Sequence, residues 1–312
     1  METKSIAHFR TGIGNFILFT PALQALASMD ESGKIDLCTD PVWTDYRKNA
    51  ILDIWERLPF VNKVYSYTEV DHSKYNKWFW THWTSAGYAK ELFESKKYYD
   101  APSWDKMVEH ESDYYMRMLR ENYGYIGKKP KQCIVPAPAP ILDMQTRHRV
   151  VFCNGGFGDI GVFKKWPYFA DLAFAIKHYF EDTITIKVGA NKEMDDVKTD
   201  VDYVDKLTIT ETAKVIQQAD VMVTTDTGNM HIADALGIPI IALWGGSAMA
   251  KNMPIQAKTK IINLGLDCQP CMQEGGYRAC LEYKCMTQIT VGEVMYHLRC
   301  LFGKGKFDDD NS

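Results

Sequence analysis

The 312-residue chain carries 36 Lys and Arg against 40 Asp and Glu, a formal net charge of -4, with 46% hydrophobic and 24% charged residues. This balance excludes a protein that coats nucleic acid or acidic membranes by bulk electrostatics, and the length favours two domains over one core. No apolar run reaches the roughly 18 residues of a membrane-spanning helix, and "METKSIAHFRTG" lacks a signal peptide's apolar stretch, so a cytoplasmic protein without a transmembrane segment is expected.

The first half opens with strand-like "SIAHF", a glycine turn "RTGIGN" and "FILFTPALQALASM" at helical spacing. Strand-like "KIDLCT", helical "AILDIWERL" and strand-like "VNKVYSY" follow. Strand and helix in alternation imply a parallel sheet covered by helices. From Asp71 to Tyr125 the pattern turns aromatic, charged and helix-like, including "DKMVEHESDYYMRMLRENYGY". The proline run "VPAPAPIL" sustains neither helix nor central strand and reads as an inter-domain linker.

The alternation then restarts. "RVVFCNGG" is a strand and glycine loop, "WPYFADLAFAIKHYF" an amphipathic helix, and "TITIKVG" a strand. Thr208 and Glu211 have capping-box spacing before the next helix. Strand "DVMVTT", short helix "GNMHIADALG" and strand "IPIIALWG" complete the run. The expected division is an N-terminal domain over 1–140 with a divergent insert at about 71–130, a C-terminal domain over 141–300, and a flexible tail over 301–312. Two open parallel sheets leave a cleft where strand ends meet a ligand.

Asp226, Thr227, Gly228 and His231 fall where a buried strand stops and a helix begins. The first helical turn presents unpaired N–H groups and the positive end of a dipole, a setting for phosphate. Asp226 suits sugar or ribose hydroxyls beside that phosphate; the plain alternative is an N-cap with a packed histidine. Gly155 and Gly156 of "NGGFGDIGVFKKWP" lie at the same sheet edge, and Lys164 and Lys165 are candidates to neutralise a diphosphate leaving group, or a solvated pair. "VGANKE" offers Gly189, Lys192 and Glu193 for nucleotide or sugar hydroxyls. Trp78, Phe79, Trp80 and Trp83, with His82, read either as a buried helix or as an aromatic wall for a sugar or unstacked base.

Cys268, Cys271, Cys280 and Cys285 have C-x2-C-x8-C-x4-C spacing. In a reducing compartment they read as a structural zinc clip or as free structural thiols, with disulfides a third reading.

The stretches "GIGNFILFTPALQAL", "KKWPYFADLA" and "TTDTGNMHIADALGIPIIALWG" resemble the bacterial heptosyltransferases, glycosyltransferase family 9, and the cysteine cluster resembles a feature of many members. The resemblance implies the α/β GT-B architecture, two Rossmann-like domains facing across a cleft. It also implies inverting transfer of a sugar from a nucleotide-diphosphate donor such as ADP-heptose, with no cofactor or metal required for catalysis, onto a surface-glycan or lipopolysaccharide-type acceptor. By position, Asp226, Thr227, Gly228 and His231 would hold the donor, with Gly155, Gly156 and Lys165 beside it, Lys164 would stabilise the released phosphate, and Glu193 would contact the nucleoside. Gly12 and Gly14 of the glycine turn would face the acceptor, and Trp80, His82 and Trp83, in a stretch that matches the family little, are the candidate acceptor wall.

The family's proposed base is an Asp in a Gly-Asp turn, where this chain has Gly14-Asn15. A neutral amide orients a hydroxyl without accepting its proton, which moves the candidate base to Glu109, Glu111, Asp113, Asp105, His82 or His110. Alternatives are a transferase acting on a hydroxylated base in phage DNA, which the acidic charge disfavours, and a non-catalytic nucleotide-sugar binder.

Overall fold

A computed structural model describes residues 4–9, 12–39, 52–66, 69–80, 109–142, 148–155, 164–190, 194, 196–273, 276–277, 280, 282–304 and 306–307. The first sheet contains β1 (Ser5–Phe9), β2 (Ile35–Thr39), β3 (Val61–Ser66) and β4 (Lys77–Trp80), all parallel in the order β3-β2-β1-β4. β1 and β2 are buried at every position, as a parallel sheet covered on both faces requires. Helix α1 (Ile13–Ser28) follows β1, and α2 (Glu111–Tyr123) packs against it.

The second sheet contains β5 (His148–Cys153), β6 (Thr183–Lys187), β7 (Val201–Asp202), β8 (Val221–Thr225), β9 (Ile240–Leu243) and β10 (Thr259–Ile262). Its order, β10-β9-β8-β5-β6-β7, is the doubly wound arrangement, with connections reversing direction between β5 and β8. Helices α3 (Phe169–Tyr179), α4 (Ile209–Gln217), α5 (Gly228–Leu236) and α6 (Met249–Asn252) belong to this half. A ribbon of β11 (Met272–Gln273) and β12 (Gly276–Tyr277) then leads to α7 (Lys284–Thr287) and α8 (Val291–Lys304).

Strand periodicity assigns the residues of this sheet to two cores. Val150, Phe152, Val221, Val223, Ile241 and Leu243 face α3 and α8, whereas Val151, Met222, Ile240 and Ala242 join the core shared with the first half. α1 is apolar on nearly every side because it packs against its own sheet, α2 and α5 at once.

The expected cap forms. Thr208 accepts from the Glu211 N–H, and Glu211 answers on the Thr208 N–H. Gly237 ends α5 in the left-handed conformation, at φ 72. Three features differ from expectation. "KWFW" is a strand beside β1, because alternation buries Phe79 and leaves Trp78 part-exposed; of the helix-like stretch before the linker, the described helix is α2. The linker has no helix or strand, yet it is fastened to both halves: Cys133 N–H donates to Thr20 Oγ1 (3.0 Å) and Ala137 N–H to the Thr210 carbonyl (3.0 Å). The tail expected from residue 301 is still helical to Lys304, and Phe307 is buried against His297.

Candidate functional site

The site forms where α1 and α5 point their N-termini at one another. Gly12 caps α1 and Thr227 caps α5, each at the carboxyl end of a parallel strand. The approach demands glycine. A Cβ on Gly14 would come within 2.6 Å of His231 Cδ2, and one on Gly228 within 3.2 Å of Ile13 Cβ. Two positive helix ends converge, an arrangement that favours an anion.

Asp226, only 4% exposed, closes β8 and is the hub on the C-terminal side. Its Oδ2 accepts from Lys164 Nζ at 2.6 Å and Ser247 Oγ at 2.7 Å, and its Oδ1 from Asn252 Nδ2 at 3.2 Å. Burial alone would raise this carboxyl. The Lys164 ammonium, His231 and the hydrogen bonds from Lys164 and Ser247 outweigh burial and hold it below the usual carboxylate range. Lys164 is set in place by the chain beside it: Asn154, just after β5, exchanges two hydrogen bonds with the Trp166 backbone, both 2.9 Å. Gly155 adopts φ 80 and donates its N–H to Thr225 Oγ1 at 3.0 Å, tying the ends of β5 and β8 together at the reversal point. His231 is buried and its Nδ1 has no hydrogen-bond partner among the described residues; burial depresses its pKa to about 4, so the imidazole is neutral.

Across from this hub stands Glu111, 1% exposed, in the first turn of α2. Asn15 Nδ2 donates to Oε1 at 2.9 Å and Oε2 at 2.8 Å, and the Tyr115 hydroxyl donates to Oε1. Lys251 Nζ lies 3.9 Å from Oε2. Burial pushes the Glu111 carboxyl up, against the pull of Lys251, Tyr115 and Asn15. Burial likewise lowers the Lys251 ammonium to about 8. The cleft thus holds two carboxylates and two ammonium groups, drawn from both halves.

Asn15, Glu111, Lys164, Asp226, Thr227, Gly228, His231, Gly12 and Gly14 therefore meet in one place, and Gly155 borders it. Lys165 is half-buried next to Lys164 and makes no ion pair among the described residues. Glu109 is paired instead with Arg117, Asp113 with Lys129 at 2.8 Å, and His110 caps α2. The Trp80 backbone lies at the end of β4 beside β1. Gly156, Glu193, Lys192, His82, Trp83, Asp105 and the side chain of Trp80 lie outside the described residues. Sequence reasoning missed Ser247, Lys251 and Asn252. The signal was available, because "GGSAMAKN" leaves β9 at the same sheet edge as Asp226.

Among the described residues no three His, Cys, Asp or Glu side chains form a metal-binding group. Cys285 nonetheless senses its cysteine neighbours: burial, then Cys271, Cys268 and Cys280, push its thiol up to about 11. The Tyr283 N–H donates to Cys280 Sγ at 3.3 Å.

Known proteins share this fold. The crystal structure of a family 9 glycosyltransferase from Veillonella parvula superposes with a TM-score of 0.70 at 17% identity, covering 97% of this chain and 99% of that one. The E. coli ADP-heptose lipopolysaccharide heptosyltransferase II gives 0.64, also at 17% identity and the same coverage. Lipooligosaccharide heptosyltransferase 2 of Campylobacter jejuni is 25% identical over 177 residues, 51% of this chain and 54% of that protein. The aligned stretch thus spans about half the length of that relative. Residues 81–281, well over half of the chain, match the family model described as Glycosyltransferase family 9 (heptosyltransferase). Two facing parallel sheets, with glycine turns meeting in the cleft, are the GT-B architecture, and this chain belongs to glycosyltransferase family 9.

Proposed function

We propose that this chain is an inverting glycosyltransferase that moves a sugar from a nucleotide-diphosphate donor of the ADP-heptose kind to a hydroxyl of a lipopolysaccharide-type glycan, using side chains alone for catalysis. The observation that carries this reading is the Asn15–Glu111 pair, which holds a buried carboxylate over the α1 glycine turn, facing the Lys164–Asp226 hub. Glu111 takes the proton of the acceptor hydroxyl, whose oxygen forms the new bond to the anomeric carbon. The bond from that carbon to the diphosphate oxygen breaks on the opposite face, and its electron pair leaves with the nucleoside diphosphate. Lys164 and the facing N-termini of α1 and α5 meet the charge that develops there. A carboxyl raised by burial suits a base working near neutral pH.

The C. jejuni and E. coli relatives, named for lipooligosaccharide and lipopolysaccharide, support this acceptor class. Among the described residues nothing in the site favours DNA. The reading as a non-catalytic binder rested on Asn15, and a carboxylate stands beside that amide. Intact-mass analysis of glycan acceptors incubated with several nucleotide sugars tests the proposal. A heptose mass gained by a lipopolysaccharide core supports it, and absence of transfer from every donor counts for a binder.

We further propose that Cys268, Cys271, Cys280 and Cys285 hold a structural metal, zinc before other cations. Cys271, Cys268 and Cys280 gather close enough to Cys285 to act on its thiol, and with the Tyr283 N–H on Cys280 Sγ the four sulfurs form a donor set suited to a soft cation. The metal would fasten the segment between β10 and α8, with no part in the transfer.

A further inference from the structure

The segment that leaves β9 has a role the family pattern did not supply. Within seven residues it fastens to both sides of the cleft. Ser247 and Asn252 donate to Asp226, on the side assigned to the donor. His110 Nε2 meets the Met253 carbonyl at 3.0 Å, and His110 is the N-cap of the helix that begins with Glu111. Between those anchors, Lys251 reaches Glu111 Oε2 at 3.9 Å with a side chain only 13% exposed. The C-terminal half thereby delivers a cation to a carboxylate belonging to the N-terminal half.

We propose that Lys251 is a positioning residue for sugar transfer, holding Glu111 ionised and turned into the cleft from the opposite half. This inference rests on the reading of Glu111 as the base. A buried carboxylate would otherwise keep its proton, since its other donors, the Asn15 amide and the Tyr115 hydroxyl, are neutral. Of the other charged groups described around it, Asp226 pushes Glu111 up, Lys164 is engaged by Asp226, and His231 is neutral. The α2 N-terminus adds its dipole in favour of the anion. At 3.9 Å the ammonium acts as a charge more than as a hydrogen-bond donor, leaving room for the carboxylate to accept a proton from another partner.

The test needs no substrate. Infrared pH titration of the full chain labelled with 13C-glutamate gives the Glu111 protonation midpoint, assigned by its loss in Glu111→Gln. Lys251→Met is expected to raise that midpoint by about 1–3 pH units, and Lys251→Arg to restore most of the difference. Should Lys251→Met fail to fold, Lys251→Gln gives the same comparison. An unchanged midpoint in the folded neutral variant would overturn the inference. The acid limb of the transfer rate should move with the midpoint, costing about tenfold or more at neutral pH and recovering as pH rises. A midpoint that moves while the acid limb stays fixed would overturn the role in transfer. If Glu111→Gln transfers at the wild-type rate, the assignment of Glu111 as base fails instead.

Discussion

The side-chain amide of Asn15 donates to both carboxylate oxygens of Glu111, at 2.9 and 2.8 Å, across 96 residues of chain. The amide therefore serves as the clamp for a carboxylate that α2 brings to the glycine turn. Asn15→Asp should destabilise the protein, because two carboxylates in contact cannot both ionise and the pair's proton affinity rises. A carboxyl whose folded pKa lies above its unfolded value stabilises below the unfolded pKa and loses that contribution as pH rises. The gap to wild type in urea unfolding should thus be wider at pH 7 than at pH 5. An equal gap at both would mean that the two side chains do not meet.

Gly14 packs where a Cβ would sit 2.6 Å from His231. Gly14→Ala gains helix propensity, worth up to about 1 kcal/mol, but must push the two halves apart. The clash should win, with a net loss of about 1–3 kcal/mol in denaturant unfolding. Gly228→Ala, with 3.2 Å to Ile13 Cβ, should cost less. A stabilised Gly14→Ala variant would show that α1 and α5 do not touch in this way.

Lys164 and Asp226 form a buried pair at 2.6 Å. Lys164→Met leaves the carboxylate, among the described residues, with Ser247 and Asn252 as donors, and should cost about 3–5 kcal/mol. Adding Asp226→Asn should recover part of that loss, so the double variant is more stable than Lys164→Met alone. Additive costs in the double-mutant cycle would separate the two residues. In the transfer assay Lys164→Ala should reduce kcat more than it raises KM.

His231 is neutral in the folded protein because burial depresses its pKa to about 4. The unfolded chain binds that proton below about pH 6.5, so stability falls as pH drops from about 6.5 towards 4. The slope is about 1.4 kcal/mol per pH unit for one such group. His8, depressed to about 3 by burial and by His72, adds a second such group. His231→Asn should flatten the slope of urea stability across this window. An unchanged slope would place the acid sensitivity elsewhere.

Metal analysis of the purified full chain should find about one zinc per protein, lost in Cys271→Ser. A metal-free wild-type protein would reduce the four thiols to packing.

Much of this was legible because strand-loop-helix boundaries have local chemistry. Thr208 and Glu211 announce their capping box and Gly237 its left-handed stop, whereas the meeting of the α1 and α5 glycines with one another emerges only from the fold. The Asp226 turn could be read for the same reason. Lys251, Ser247 and Asn252 left only a positional signal, the sheet edge they share with Asp226, since α6 has only four residues and the Lys251 charge finds meaning only against Glu111, 140 positions earlier. The aromatic "KWFW" misled because its composition suits a buried helix as well as a strand. Only pairing with β1 decides between them.

In the proposed mechanism the base is the Glu111 carboxylate of α2, where the family pattern has an Asp in the glycine turn. Its most direct test is the single-turnover rate of Glu111→Gln with ADP-heptose and a lipopolysaccharide core acceptor, alongside calorimetric binding of the donor. The expected rate is lower by about 10²–10⁴-fold, with donor affinity and unfolding midpoint close to wild type. A variant that transfers heptose as fast as the wild type would contradict it.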